Sequence, residues 1–274
     1  MRRMGKYTAH VAVLASAVGI SLAAWGATAL VGGDGESAAA PGGGAAARPG
    51  VPAQRNAEPA RPAKPAVRVP EGIAHAAEAG GRAVNITIDD GPDPRWTPKM
   101  LDILKENDVK AVFCMIGPQA KQHPDLVKRV VAEGHRLCDH TMTHDTTMDR
   151  KPVAYQKQQI LDARKLIEEA AGGVEVQYYR APGGAFTPDS RKIAAAAGMR
   201  PLGWNVDTKD FERPGAAAIV ATVKNELSNG PTILFHDGGG DRSQSVTALR
   251  EVLPWLKEQG RTFSFPVRTA PDTP

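Results

Sequence analysis

The chain lacks the usual marks of a covalent hydrolase. No Gly-x-Ser-x-Gly elbow occurs in its 274 residues, and it has only two cysteines, Cys114 and Cys138, neither beside a catalytic dyad pattern. Any hydrolytic chemistry must therefore come from another kind of nucleophile. Net positive charge is also scarce over most of the length. The net charge is +4, but residues 1–80 hold eight basic side chains against five acidic ones, so the rest of the chain carries only +1. A nucleic-acid footprint on the folded part has no support.

Charge is absent altogether from residues 11–31, a run of 21 residues that follows Arg2, Arg3 and Lys6. That pattern resembles an export signal. Ala27-Thr28-Ala29 offers a small-residue cleavage site, yet the run is also long enough to span a bilayer, so residues 1–31 read as a signal peptide or a membrane anchor. Residues 32–70 are rich in Ala, Gly and Pro and have no periodic apolar positions. They cannot bury enough surface to offset ordering entropy and are expected to be a linker, semi-extended at roughly 3 Å per residue.

After residue 80 the chain alternates. Strand-like runs occur at residues 84–88, 111–116, 135–138, 176–179, 202–206, 232–235 and 262–265. Helical patterns lie between them: one capped at Thr97-Pro98, others from Pro124 to Gly134, 153–171, Thr187-Pro188 to Gly198, 216–227 and 245–259. Seven strands alternating with six helices imply an α/β domain with a parallel sheet, expected over residues 71–267, with a disordered tail at 268–274. The two cysteines fall on neighbouring strands of an exported domain, which allows either a disulfide or two buried thiols.

In folds of this class ligands bind at the carboxyl ends of the strands. Asp89 and Asp90 follow the first strand, Asp139 and His140 the third, Arg180 the fourth, Asp207 the fifth and His236 the sixth. Asp89-Asp90-Gly91 by itself is also ordinary turn chemistry. His140 and His144 stand at i and i+4 and converge if their loop enters a helical turn; the bland alternative is a surface His pair. With one carboxylate, two histidines suit Zn²⁺, Fe²⁺ or Co²⁺ and leave positions open for water and substrate.

Thr87-Ile88-Asp89-Asp90-Gly91-Pro92, His140-Thr141-Met142-Thr143-His144, Arg180-Ala181-Pro182-Gly183-Gly184, Asp207-Thr208-Lys209-Asp210-Phe211 and Leu234-Phe235-His236 together resemble the five ordered motifs of the polysaccharide deacetylases, carbohydrate esterase family four. The resemblance implies a distorted (β/α)₇ barrel that removes acetyl groups from N-acetylglucosamine polymers or acetylated xylan with a divalent metal, Zn²⁺ first and Co²⁺ or another ion next. It implies Asp90, His140 and His144 as metal ligands, Asp89 as general base and His236 as general acid. Arg180 would orient Asp89, Asp207 or Asp210 would hold His236 or Arg180, and a backbone N–H at Gly183 would stabilise the oxyanion. Ile88 stands where the family usually has Phe, Phe211 where Trp is common, and Gly183 where Tyr is frequent, which opens the groove there. The expected substrate is an extracellular polysaccharide, most of all peptidoglycan, with chitooligosaccharide or acetylxylan as alternatives and a carbohydrate-binding pseudoenzyme as a further one. The protein is expected to be a monomer, at the cell surface or secreted, touching a membrane only through its N-terminal segment.

Overall fold

The computed structural model describes residues 67–272, so the expected signal or anchor and nearly all of the linker lie outside the described residues. The chain forms β1 (Ala83–Asp89), α1 (Thr97–Glu106), β2 (Ala111–Met115), α2 (Gly117–Gln122), α3 (Pro124–Ala132) and β3 (Arg136–Asp139). It continues with α4 (Val153–Ala170), β4 (Tyr178–Tyr179), α5 (Pro188–Ala196), β5 (Arg200–Pro201) and β6 (Val206–Asp207). It ends with α6 (Ala216–Glu226), β7 (Thr232–His236), α7 (Ser243–Glu258) and β8 (Thr262–Phe263).

β1 is the centre of the sheet. All seven of its residues are buried, with β2 parallel on one side and β7 parallel on the other. The strand order is β5-β4-β3-β2-β1-β7-β6, and β8 pairs with the first two residues of β1. The two outermost strands, β5 and β6, are consecutive in the chain. Residues 202–205 join them, so the curled sheet closes through one bent segment that pairs first with β4 and then with β7. This parallel, curled architecture fits the distorted (β/α)₇ barrel. The sequence pattern predicts a single strand over 202–206; that stretch is instead mostly the link between β5 and β6, because its two ends serve different neighbours.

Successive strand residues face opposite sides, and that sorts the core into two clusters. Ile86, Ile88, Phe113, Met115, Leu137, Tyr179, Ile233 and Phe235 pack outward under the helices. Val112, Cys114, Cys138, Tyr178 and Leu202 pack inside the barrel with Ala74, Ala76 and Val267. The inward set on β1 is Asn85, Thr87 and Asp89, so the alternation that fills the barrel delivers Asp89 to its mouth. Cys114 and Cys138 are register partners on β2 and β3 and are joined as a disulfide, with their Cα atoms 4.1 Å apart.

Three expectations need correction. α2 is an additional short helix: its six residues hold too little apolar periodicity to stand out between β2 and Pro124. Thr97 is the first residue of α1 rather than its cap, because its hydroxyl is engaged elsewhere. The stretch expected as a disordered tail is bonded to the barrel as far as Asp272. That carboxylate accepts the N–H groups of His75 and Ala76, and the carbonyl of Ala270 accepts from Arg200.

His135, just before β3, is 6% exposed. Its Nδ1 accepts the Ala111 N–H at 3.0 Å and its ring meets Phe113 edge-on. Burial, with Lys110 nearby, lowers its pKa to about 4. A histidine held neutral contributes stability that is present above its unfolded value near 6.5 and is lost as pH falls toward 4. Denaturant unfolding of the wild type between pH 7 and 4.5 is expected to show about 2–3 kcal/mol of loss that His135→Gln does not share.

Candidate active site

Because every paired strand is parallel, the carboxyl ends of β1, β3, β4 and β7 open on one face. Asp90, His140 and His144 meet there, with one ligand atom from each lying within 4.8 Å of the others. Asp90 Oδ1 is 3.2 Å from His144 Nε2 and 3.5 Å from His140 Nε2. His140 Nδ1 donates to the Arg180 carbonyl at 2.8 Å, which leaves the lone pair on Nε2 facing Asp90. Burial outweighs the attraction of Asp90 and lowers the His140 pKa to about 3, so the ring is the neutral donor a cation needs. Asp90 Oδ1 is buried without a hydrogen-bond partner among the described residues. A buried, unpaired anionic oxygen facing two imidazole nitrogens fits a divalent cation and is costly without one.

The loop between His140 and His144 is not helical. Asp90, Thr141 and His144 all have positive φ, at 77°, 70° and 52°, a conformation that persists in non-glycine residues only when surroundings impose it. Here the surroundings are hydrogen bonds. Asp139 Oδ1 accepts the Thr141 N–H at 2.7 Å, and Gln159 Oε1 on α4 accepts the N–H groups of Met142 and Thr143.

Asp89 points into the barrel, and its Oδ1 accepts from Arg180 Nη1 at 2.7 Å. Arg180 is fully buried and also donates to the Thr87 hydroxyl and to the carbonyls of Leu202 and Gly203. Its guanidinium is thereby fixed, and so is the carboxylate. The other oxygen, Oδ2, is turned toward the His140 ring at 3.6 Å. Burial raises the Asp89 pKa against the opposing pull of Arg180 and His236, which favours proton acceptance. His236 is the register partner of Asp89 on β7. Asp210 grips it twice, accepting the ring Nδ1–H at 2.6 Å and the backbone N–H at 2.9 Å. Burial pushes the imidazole down, but Asp210, Asp89 and Asp90 together raise it to about 9, so Nε2 carries a proton at neutral pH.

A buried carboxylate, a protonated imidazole and a cluster of three side chains that could hold a cation thus share one mouth. A family model described as polysaccharide deacetylase matches residues 76–202. A chitooligosaccharide deacetylase of Sinorhizobium fredii is 38% identical over 204 residues, covering 70% of this chain and 92% of the relative. The chain belongs to the polysaccharide deacetylase family. A peptidoglycan-N-acetylglucosamine deacetylase of Bacillus cereus is 40% identical over 187 residues, 66% of this chain and 85% of the relative. Among solved structures, a peptidoglycan N-acetylglucosamine deacetylase superposes with a TM-score of 0.66 at 31% identity, covering 72% of this chain and 95% of that one.

One expected residue of the deacetylase lies apart from this constellation. Asp207 accepts the N–H of Lys209 at 3.0 Å and binds neither His236 nor Arg180. It closes a local Asx turn, while Asp210, three residues on and buried, takes the histidine. Gly183 lies in the turn Pro182–Gly184, which Ala181 separates from Arg180, with φ 58° and only Thr146 near the place a side chain would occupy. Phe211 meets the His236 ring edge-on at 5.2 Å and is 43% exposed at the rim. A cavity of about 1000 Å³ opens at the opposite end of the barrel, among His75, Trp204, Asn205, Arg261 and Asp272. It holds none of the motif residues, so chemistry rather than concavity marks the site.

Sequence reading passed over Gln159, Asp237 and Arg242. Asp237 is buried directly after His236, and Arg242 is buried with its Nε donating to the Gly238 carbonyl at 2.6 Å. A signal for Asp237 was present: β7 ends on His236-Asp237 as β1 ends on Asp89-Asp90, an apolar strand running into two polar residues at the same face.

Proposed function

We propose that this deacetylase removes acetyl groups from N-acetylglucosamine units of peptidoglycan outside the cell, using a divalent cation held by Asp90, His140 and His144. The observation that carries the reading is that Asp89, whose Oδ2 faces the His140 ring at 3.6 Å, and its register partner, the protonated His236, stand at the same mouth as that cluster. Zn²⁺ suits two imidazoles and one carboxylate, and Co²⁺ is an acceptable substitute. When bound, the cation supplies Lewis acidity, polarising the acetyl carbonyl and acidifying water. Asp89 takes a proton from water as its oxygen adds to the acetyl carbon. The N–H of Gly183 donates to the oxygen that gains charge. His236 then gives its Nε2 proton to the nitrogen as the C–N bond breaks, and acetate and a free amine leave. Arg180 and Asp210 keep base and acid in their protonation states and in register.

The export-like N-terminal segment and the peptidoglycan relatives support a wall substrate. The chitooligosaccharide relatives support a second reading, in which shorter soluble oligomers are the substrate of the same site. Acetate release from peptidoglycan, chitooligosaccharides and acetylxylan, measured in parallel, tests both. Release from peptidoglycan should be the fastest; a clear preference for chitooligosaccharides replaces the first reading with the second. Chelation followed by dialysis should lower the rate by about 10²-fold or more, and added Zn²⁺ or Co²⁺ should restore it. Full activity in metal-free protein overturns the cation.

A further inference from the structure

Asp90 must hold a left-handed backbone conformation and aim one oxygen at two imidazoles, and what braces it comes from the end of the neighbouring strand β7. The Asp237 N–H donates to the Asp89 carbonyl at 3.0 Å, tying the end of β7 to the end of β1. Its side chain does more. Oδ2 accepts the Thr97 hydroxyl at 2.5 Å, and the same hydroxyl accepts the Asp93 N–H at 2.8 Å, so Thr97 links Asp237 to the far end of the turn that starts at Asp89. The carboxylate is pressed on Gly91: a Cβ there would lie 2.3 Å from Oδ1 and 2.6 Å from Oδ2. Glycine is needed at 91 for close approach. Next along the chain Gly238 covers Asp90 itself, since a Cβ at 238 would lie 2.2 Å from the Asp90 carbonyl oxygen.

We propose that Asp237 is a positioning residue of the cation site: seated on Gly91 and bound to Thr97, it fixes the turn so that Asp90 presents its oxygen between His140 and His144. The inference rests on the cation reading above. Asp237 Oδ1 has no hydrogen-bond partner among the described residues, and the residue is fully buried. Burial, reinforced by Asp90 and Asp89, raises its pKa to about 7. A carboxyl group kept under such unfavourable conditions is costly to the fold, which argues that its return lies in shaping the turn rather than in stability.

The test is Zn²⁺ affinity of the full chain, measured by competition with a chromophoric chelator well below the melting temperature. Asp237→Ala is expected to weaken binding about 10- to 100-fold, as loss of a group supporting a metal ligand does. Asp237→Asn keeps an acceptor for Thr97 and should stay within about 5-fold of wild type. Gly91→Ala pushes the carboxylate away from the other side and should mimic Asp237→Ala, yet cost little more in an Asp237→Ala background, because the two changes disturb one contact. A merely structural role would lower the melting temperature of the metal-free variants and leave affinity unchanged, which overturns the proposal. Simple addition of the two losses also overturns it. Should Asp237→Ala not fold, an unchanged affinity in Gly91→Ala has the same force. Wild-type protein that binds no Zn²⁺, with Asp90→Asn no different, removes the cation reading itself and the proposal with it.

Discussion

Asp89→Asn is expected to lose about 10²- to 10⁴-fold in acetate release while keeping its cation, and excess metal will not restore the rate. Asp90→Asn should behave in the opposite way, losing affinity for the cation and regaining part of its activity when metal is supplied. The difference follows from the geometry of one turn. Asp89 continues the inward-facing row of β1 and spends one oxygen on Arg180, whereas Asp90 has left the strand with φ 77° and faces the two histidines. Asp89→Asn also leaves the Arg180 guanidinium buried without its counter-charge. Thr87, Leu202 and Gly203 still accept from it, so the expected cost is about 3 kcal/mol, near the low end for a broken buried pair. Metal content, turnover and a thermal melt on both variants separate these effects. An Asp89→Asn protein that loses its metal while Asp90→Asn keeps it reverses the two roles.

Asp210→Asn is expected to be nearly as damaging, with an effect that depends on pH. In the wild type the double grip of Asp210 holds His236 protonated up to about pH 9, so the acid is available across the neutral range. A bound cation offsets Asp89 and Asp90 and moves that limit to the acid side of 9. Asn keeps a hydrogen bond to Nδ1 but no charge, and burial then drives the imidazole toward and below its ordinary 6.5. The alkaline limb of kcat/KM should move down with it, giving a loss of about 10²-fold at pH 8 that shrinks as pH falls. Stability follows the same sign. The wild-type pair contributes fully below pH 6.5 and loses that contribution as pH rises through 9, and the variant has no such loss. A variant with an unchanged alkaline limb would show that another group is the acid.

Much of this was legible because parallel strands report their own ends. An apolar run such as Ala111 to Met115 must be buried on both faces, and whatever polar residue follows it must emerge at the ligand-binding end. Asp89, His140, Arg180 and His236 were found that way, and the five ordered motifs around them resemble those of a known family. Two things were not legible. The pairing of Asp210 rather than Asp207 with His236 depends on which carboxylate the 207–210 turn buries, and the two stand only three residues apart. The convergence of His140 and His144 does not come from helical spacing. It comes from positive φ at Thr141 and His144 and from Gln159, seventeen residues beyond Met142, which no local pattern announces. Asp237 escaped notice for a related reason: its contacts are with Gly91 and Thr97, about 140 positions away.

Both ends of the described chain gather at the base of the barrel, where Gly72 accepts from Arg200 and Asp272 caps the N–H groups of His75 and Ala76. The reactive mouth lies at the other pole. A bead, a fluorescent carrier or a fused domain joined at either end of the described residues therefore meets the molecule from behind, and the face that would receive the proposed polymeric substrate is left unobstructed. Immobilised enzyme should retain its turnover on insoluble substrate whichever end is used for attachment, whereas coupling through rim residues such as Lys209 should abolish it.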